Sequence, residues 1–285
     1  LDSTKNNFRD PYTIIKQFNQ KLAARKYHPI HLEIVQSEQN QIHFTGERLV
    51  INQEVKQSWL HVLVEHLSRY ELACEFVKGA RVLDAACGTG YGTKMLDEAG
   101  AKEVIGVDIS TETIGHAKAG YTGRNTQYMV GDILQLPFKD RTFDVIVSFE
   151  TIEHVPDGSA WIREASRMLT NNGLFLVSTP NRYVSNPGVY YQERASYNQF
   201  HCFEYSIIEF MGELLKSFDI LELYGHPTIY DDDSPLVSMV RAARQLQVDY
   251  RLDPAVKVRG NNLVPLGAVK DAQPEYVLAV CRKKK

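Results

Sequence analysis

The sequence predicts an α/β fold in three layers around one mostly parallel sheet, and three observations carry that expectation. Apolar runs near 82–86, 103–108, 125–130, 143–149 and 173–179 alternate with stretches patterned as helices, as strands joined by crossover helices do. The first run, Val82, Leu83, Ala85 and Ala86, is apolar at neighbouring positions, which suits a strand covered on both faces. Behind it comes a turn with Gly88, Gly90 and Gly92, then TKMLDEA, which begins a helix whose first amides face the turn.

Such a turn suits a small polar ligand, and the acids around it narrow the choice. Asp84 precedes the glycines, and Asp108 ends the second apolar run, EVIGVD. An acid at that strand tip is placed to accept hydrogen bonds from both ribose hydroxyls of an adenosine. NAD and S-adenosylmethionine both offer that ribose. NAD also brings a pyrophosphate, which calls for GxGxxG without a crowding carboxylate. Here the spacing is GxGxG with Asp84 beside it, which favours a ligand carrying an ammonium and a sulfonium.

Composition excludes other classes. With 285 residues, 44% hydrophobic and 24% charged, the chain has ample length for one sizeable core with additions. A net charge of -3 gives no basic field for gripping phosphates, so nucleic acid is not an expected partner, and the terminal RKKK reads as a solvated tail. Cys74, Cys87, Cys202 and Cys281 are scattered without a CxxC, as in a reducing compartment. No apolar run approaches the ~20 residues of a membrane span, and no leader-like apolar region opens the chain, so a cytoplasmic protein is expected.

In order, residues 11–25 read as a helix with Pro11 at its first position, either packing on the sheet or covering the site. Residues 43–50 form a loop and 53–77 one long helix. After the glycine turn come helix 90–99, strand 103–108, helix 110–119 capped by Ser110 or Thr111, strand 125–130 and the segment GDILQLPF. A fourth strand ends near Glu150, helix 158–169 follows, NNG makes a turn, and a fifth strand covers 173–181. Helix 206–217, a sixth strand at 218–226 and a seventh at 275–283 complete the sheet. The expected organisation is a cap at 1–52, a core at 53–230, an insertion or lid at 231–274 and a last strand with basic tail at 275–285. The connections 181–205 and 231–274 are the expected substrate walls.

DAACGTGYG, Asp108, GDILQLPF and FDVIVSFETIEHV together resemble the class I S-adenosylmethionine-dependent methyltransferases, over roughly residues 60–225. The resemblance implies a Rossmann-like seven-stranded sheet whose last strand runs antiparallel beside the fifth. It also implies a cofactor set of Asp84, Ala86, Gly88, Gly90, Asp108, Ile109 and Phe149, with Asp132 on the adenine amino group and the Ile133 amide on a ring nitrogen. FTGER before an H-x-x-R-Y-E-x-A helix is similar to a subset that tailors sugars and natural products. It implies Arg69 and Tyr70 near the amino-acid end of the cofactor and residues 45–48 closing over it. Arg48 or Arg69 could pair with the methionine carboxylate through a bidentate fork.

The chemistry is expected at the end of the fourth strand. Glu150, Glu153 and His154 are three and four positions apart, and His201 lies on a segment expected over the same edge. Together they could hold Mg²⁺ or another divalent metal, or His154 or His201 could serve as a metal-free base with Glu150 nearby. The E-x-x-E-H arrangement also resembles the metal site of RNA 3'-terminal ribose 2'-O-methyltransferases. The expectation is methyl transfer to a hydroxyl of a small sugar, glycoside or natural product, with S-adenosylhomocysteine as product. Alternatives are an N-methyltransferase on an amine and the terminal-ribose RNA enzyme. A homodimer is also open.

Overall fold

The computed structural model describes residues 9–23, 48–186, 196, 198–230, 263–268 and 272–285. Among the described residues the sheet has eight strands in the order β3-β2-β1-β4-β5-β8-β6-β7. These are β1 Arg81–Ala85, β2 Glu103–Asp108, β3 Thr126–Val130, β4 Phe143–Ser148, β5 Leu169–Pro180, β6 Phe218–Tyr230, β7 Val264–Pro265 and β8 Ala272–Lys283. The first five pair in parallel, and β8 runs antiparallel between β5 and β6. The antiparallel strand beside the fifth is therefore as expected. The count exceeds the expected seven because β7, inside the anticipated 231–274 insertion, pairs with β6. Within that insertion the stretch SPLVSMVRAARQLQ, 234–247, whose sequence reads as a helix, lies outside the described residues.

Successive strand residues feed opposite faces, which makes the three layers. Val82, Val145, Val147, Leu174 and Leu176 pack with α1 (Pro11–Ala23), α3 (Leu60–Cys74), α4 (Tyr91–Glu98) and α5 (Thr111–Gly120). Leu83, Ile146, Phe175 and Val177 pack with α6 (Gly158–Met168) and α8 (Ile207–Leu214). Among the described residues the other α-helices are α2 (Gln53–Ser58) and α7 (Arg182–Ser185). No described helix is long and apolar enough to cross a membrane.

Two local expectations change, and the reading of the first helix narrows to packing on the sheet. The long helix breaks at Trp59, which ends α2 and precedes α3 with φ −128° and ψ 25°. Asn52 caps α2 by accepting the Val55 amide at 2.8 Å. The NNG segment is not a turn before β5 but lies within it: pairing jumps from Phe143 with Leu169 to Val145 with Leu174, so the intervening residues bulge. Helix α1 packs at the β6 end of the sheet, with Phe18 edge-on to Tyr224 at 6.1 Å and Asn19 accepting the Tyr224 hydroxyl at 2.9 Å.

Candidate active site

The ends of β1, β2, β4 and β5 meet at one sheet edge, where an open parallel sheet presents its crevice. The turn after β1 enters the left-handed region at Ala86, Gly88 and Gly90, with φ of 60°, 54° and 92°. The three glycines do different work. A Cβ on Gly88 would meet nothing within 4 Å, so this is the open side of the turn. A Cβ on Gly90 would press on Ala117 at 2.7 Å and Tyr128 at 2.8 Å, and one on Gly92 would fall inside the Tyr70 ring. A side chain at Gly90 would therefore collide with the protein itself.

Asp108 at the tip of β2 is held from both sides. Its Oδ2 accepts the Gly88 amide at 3.1 Å and its Oδ1 the Ser110 amide at 2.9 Å. Each carboxylate oxygen keeps a further lone pair, enough for two ribose hydroxyls. Next to it Ile109 is 73% exposed, an apolar surface at the crevice. Asp132 caps a single 3₁₀ turn by accepting the Leu134 amide at 2.9 Å and stands exposed, while Ile133 behind it is buried.

Asp84 is fully buried. Its oxygens accept the Tyr70 hydroxyl at 3.0 Å and the Thr93 hydroxyl at 2.6 Å. Burial pushes its pKa up to about 6, against the two hydrogen bonds that favour the anion and with a smaller push from Asp108. Phe149 closes on Tyr70 edge-on at 5.1 Å. Asp84 thus braces Tyr70 against the turn from beneath the crevice. From the other side the Thr89 hydroxyl donates to the Leu49 carbonyl at 2.9 Å, tying residues 48–50 to the turn; residues 45–47 lie outside the described part.

One residue from Tyr70, the Arg69 guanidinium is 1% exposed, lies over the Tyr276 ring at 5.1 Å, and leaves Nε and Nη1 without a hydrogen-bond partner. An unmatched buried guanidinium calls for an anion. Burial, then Arg69 and His226, hold His66 well below the usual histidine range, so it adds no competing cation near neutral pH.

At the end of β4 the structure brings together three of the four expected residues. Glu153, His154 and His201 each offer a ligand atom, all within 4.8 Å of one another. The imidazoles of His154 and His201 meet edge to face at 4.7 Å. His154 Nδ1 lies 3.0 Å from the Phe200 carbonyl, which makes Nδ1 the donor. Glu153 is fully buried: Oε2 accepts from Thr179 at 2.9 Å, whereas Oε1 has no hydrogen bond and lies 3.9 Å from His154 Nε2. Burial, then the Glu150 charge, raise the Glu153 pKa well above the usual carboxylate range.

Glu150 stands apart from this cluster. Its backbone is left-handed, φ 49°, and its Oε1 accepts the Ser178 hydroxyl at 2.6 Å. Glu150 is not among the three side chains whose ligand atoms come together, though its charge is near enough to act on Glu153. The segment bearing His201 is fastened to the same turn, since Cys202 and Phe203 both donate to the Glu153 carbonyl, at 2.7 and 3.1 Å. Ser178, Thr179 and Glu204 complete the site without having been expected. The Ser-Thr pair ending an otherwise apolar strand, and an acid three residues past His201, were the available signals.

Comparison with known proteins fits this geometry. The profile described as "Methyltransferase domain" matches residues 83–177, which run from β1 into β5. A Mycolicibacterium smegmatis protein named a probable S-adenosylmethionine-dependent methyltransferase is 33% identical over 183 residues, covering 64% of this chain and 67% of that one. A Mycobacterium tuberculosis protein of the same description is 32% identical over 173 residues, covering 61% of this chain and 60% of its own length. A ubiquinone biosynthesis O-methyltransferase of Azorhizobium caulinodans is 34% identical over 127 residues, 44% of this chain and 50% of its own. The chain thus spans about half to two thirds of these relatives. In fold it is similar to the methyltransferase solved with the Haloferax volcanii Trm112 activator, at a TM-score of 0.56 and 19% identity over 83% of this chain and 100% of that one. The chain belongs to the S-adenosylmethionine-dependent methyltransferases, an enzyme family whose cofactor is S-adenosylmethionine.

Proposed function

We propose that the chain transfers the methyl group of S-adenosylmethionine to a hydroxyl of a small molecule, a sugar, glycoside or other natural product. Bound S-adenosylmethionine supplies an electrophilic methyl group on a sulfonium. Two features fit this cofactor: the open side of Gly88, where a ligand can approach the main chain, and the anion-seeking Arg69. Asp108 would take the ribose hydroxyls, Arg69 the methionine carboxylate, and Asp132 with the Ile133 amide the adenine edge. Ile109, Phe149 and Ala86 would bound the same crevice, with Tyr70 braced by Asp84 beneath it.

The observation that carries the hydroxyl acceptor is the pairing of His154 with His201 beside buried Glu153. A hydroxyl must lose its proton as it attacks, and a positioned imidazole contributes ~10²–10⁴-fold to such a step. An amine that arrives unprotonated can attack through its lone pair with no base, so a positioned imidazole pair favours a hydroxyl over such an amine. An RNA acceptor would meet a chain of net charge -3.

A second form of this reading adds a divalent metal, favoured by the unpartnered Oε1 of Glu153. Glu153, His154 and His201 would hold it, and it would supply Lewis-acid polarisation of the acceptor hydroxyl. One carboxylate with two imidazoles suits zinc, manganese or cobalt better than magnesium.

The test is calorimetry with S-adenosylhomocysteine, then transfer of labelled methyl to a panel of sugars, glycosides and catechols with their amino counterparts. Tight binding, label on oxygen, and lower turnover but equal binding in His154→Ala are expected. Absence of S-adenosylhomocysteine binding, or label on amines alone, would defeat the proposal.

A further inference from the structure

Glu204 lies three residues past His201, and both side chains are nearly enclosed. Its Oε1 faces His201 Nδ1 at 2.6 Å. Its Oε2 accepts from two groups just before the intervening connection, the Ser185 hydroxyl and the Asn186 amide. The backbone is pinned as well: Arg182 Nη1 donates to the Glu204 carbonyl at 2.9 Å, and the Arg182 amide to the Tyr205 carbonyl at 2.8 Å.

The far side of the ring identifies the tautomer. Asn198 Nδ2 lies 2.9 Å from His201 Nε2, and Asn198 Oδ1 is already taken by the Phe200 amide at 3.0 Å. An amide whose oxygen is engaged presents N–H to the ring, so Nε2 accepts and Nδ1 carries the proton toward Glu204.

We infer that Glu204 is a positioning residue for His201. It fixes the imidazole as the Nδ1–H tautomer, holds its ring against His154, and keeps the basic electron pair on Nε2. The inference rests on the reading of the two histidines as the group that handles the acceptor proton. A carboxylate suits the position because His201, Ser185 and Asn186 all turn donors to it. A glutamine cannot serve all three. With two donors at one end, the amide of Glu204→Gln would turn its single oxygen to Ser185 and Asn186. Its N–H₂ would then face His201 Nδ1, which would have to accept, moving the proton to Nε2. There it would oppose Asn198 Nδ2.

The experiment is long-range ¹H–¹⁵N correlation of the imidazoles in the full chain, ¹⁵N-labelled at histidine and held at a pH where His201 is neutral. His201→Gln supplies the assignment. The wild type should show Nδ1–H at His201, Glu204→Gln should lose that pattern for Nε2–H, and Glu204→Asp should restore it. An Nε2–H wild type, or a glutamine variant with an unchanged tautomer, would overturn the inference, and the wild-type spectrum alone can do so if the variants fold poorly. Because the readout needs no turnover, a failure here is distinct from a failure of the methyl-acceptor reading, which the labelled-methyl assay reports.

Discussion

Around the β1–α4 turn, the chain supplies a donor for every oxygen of its two buried acids: Tyr70 and Thr93 to Asp84, and the amides of Gly88 and Ser110 to Asp108. Beyond β4, Glu153 is just as deeply buried, yet one oxygen bonds Thr179 and the other bonds nothing. The first region holds its shape from within. The second carries an unmet demand for a proton or a cation, beside two histidines that meet from separate parts of the chain. A turn that binds one constant cofactor gains from being complete beforehand, because little ordering is left for the moment of binding. A site that must move a proton needs a group with its preference unsettled.

The largest way to break this contrast is Asp108→Ala. It removes the acceptors for two ribose hydroxyls and leaves the Gly88 and Ser110 amides unmatched. Hydrogen bonds to a charged group contribute about 1.5–3 kcal/mol each, so affinity for S-adenosylhomocysteine should fall by at least about 10²-fold. Calorimetry beside a thermal melt checks this. Near-normal affinity in a folded variant would show that the turn, not the acid, holds the adenosine.

Next in size is the pH response of Asp84. Its folded pKa of about 6 lies above the unfolded value, so the folded chain binds this proton more readily. The associated stability is fully present below about pH 4 and is lost as pH rises through 6, by roughly 3 kcal/mol. A carboxyl ¹³C titration should place the Asp84 midpoint near 6. A midpoint near the ordinary 4 would mean that Tyr70 and Thr93 outweigh burial.

Smaller again is the effect of Glu153→Gln on metal affinity. If the orphan oxygen is a ligand, Zn²⁺ or Mn²⁺ binding measured by calorimetry should weaken by about 10-fold or more in the variant, with S-adenosylhomocysteine binding unchanged. Equal metal affinity, or none in either protein, would leave Glu153 as a buried carboxyl beside His154 and remove the metal from the proposal.

The same contrast governs what the sequence could show. The parallel strands, Asp84, Asp108 and the open turn were legible because each is a local pattern: an apolar run, then glycines, then an acid at the next strand tip. What Asp84 touches was not, since Tyr70 reaches it from another helix and depends on Gly92 having no side chain. The β4 end was legible as residue types only. Spacing put Glu150, Glu153 and His154 on one face, whereas the group that comes together is Glu153, His154 and His201, and Glu150 sits on a left-handed residue that no periodicity announces. Glu204 bonds residues on both sides of a connection spanning 187–197, so its role exists only in the folded chain.

The smallest expected effect tests that backbone twist. Glu150 holds φ of 49°, where a side chain is strained and glycine is not, and its compensation is the Ser178 hydrogen bond at 2.6 Å. Glu150→Gly removes both. Relief of strain contributes about 1 kcal/mol and the lost bond takes away about as much, so stability by urea unfolding should stay within about 1 kcal/mol of the wild type. It also removes a negative charge that pushes up the Glu153 pKa. If Glu150 serves only the shape of the turn, glycine, which adopts that shape without strain, should preserve methyl transfer. A large loss of turnover at unchanged stability would instead put the Glu150 carboxylate itself into the chemistry, and the second region would then contain four working groups where the structure joins three.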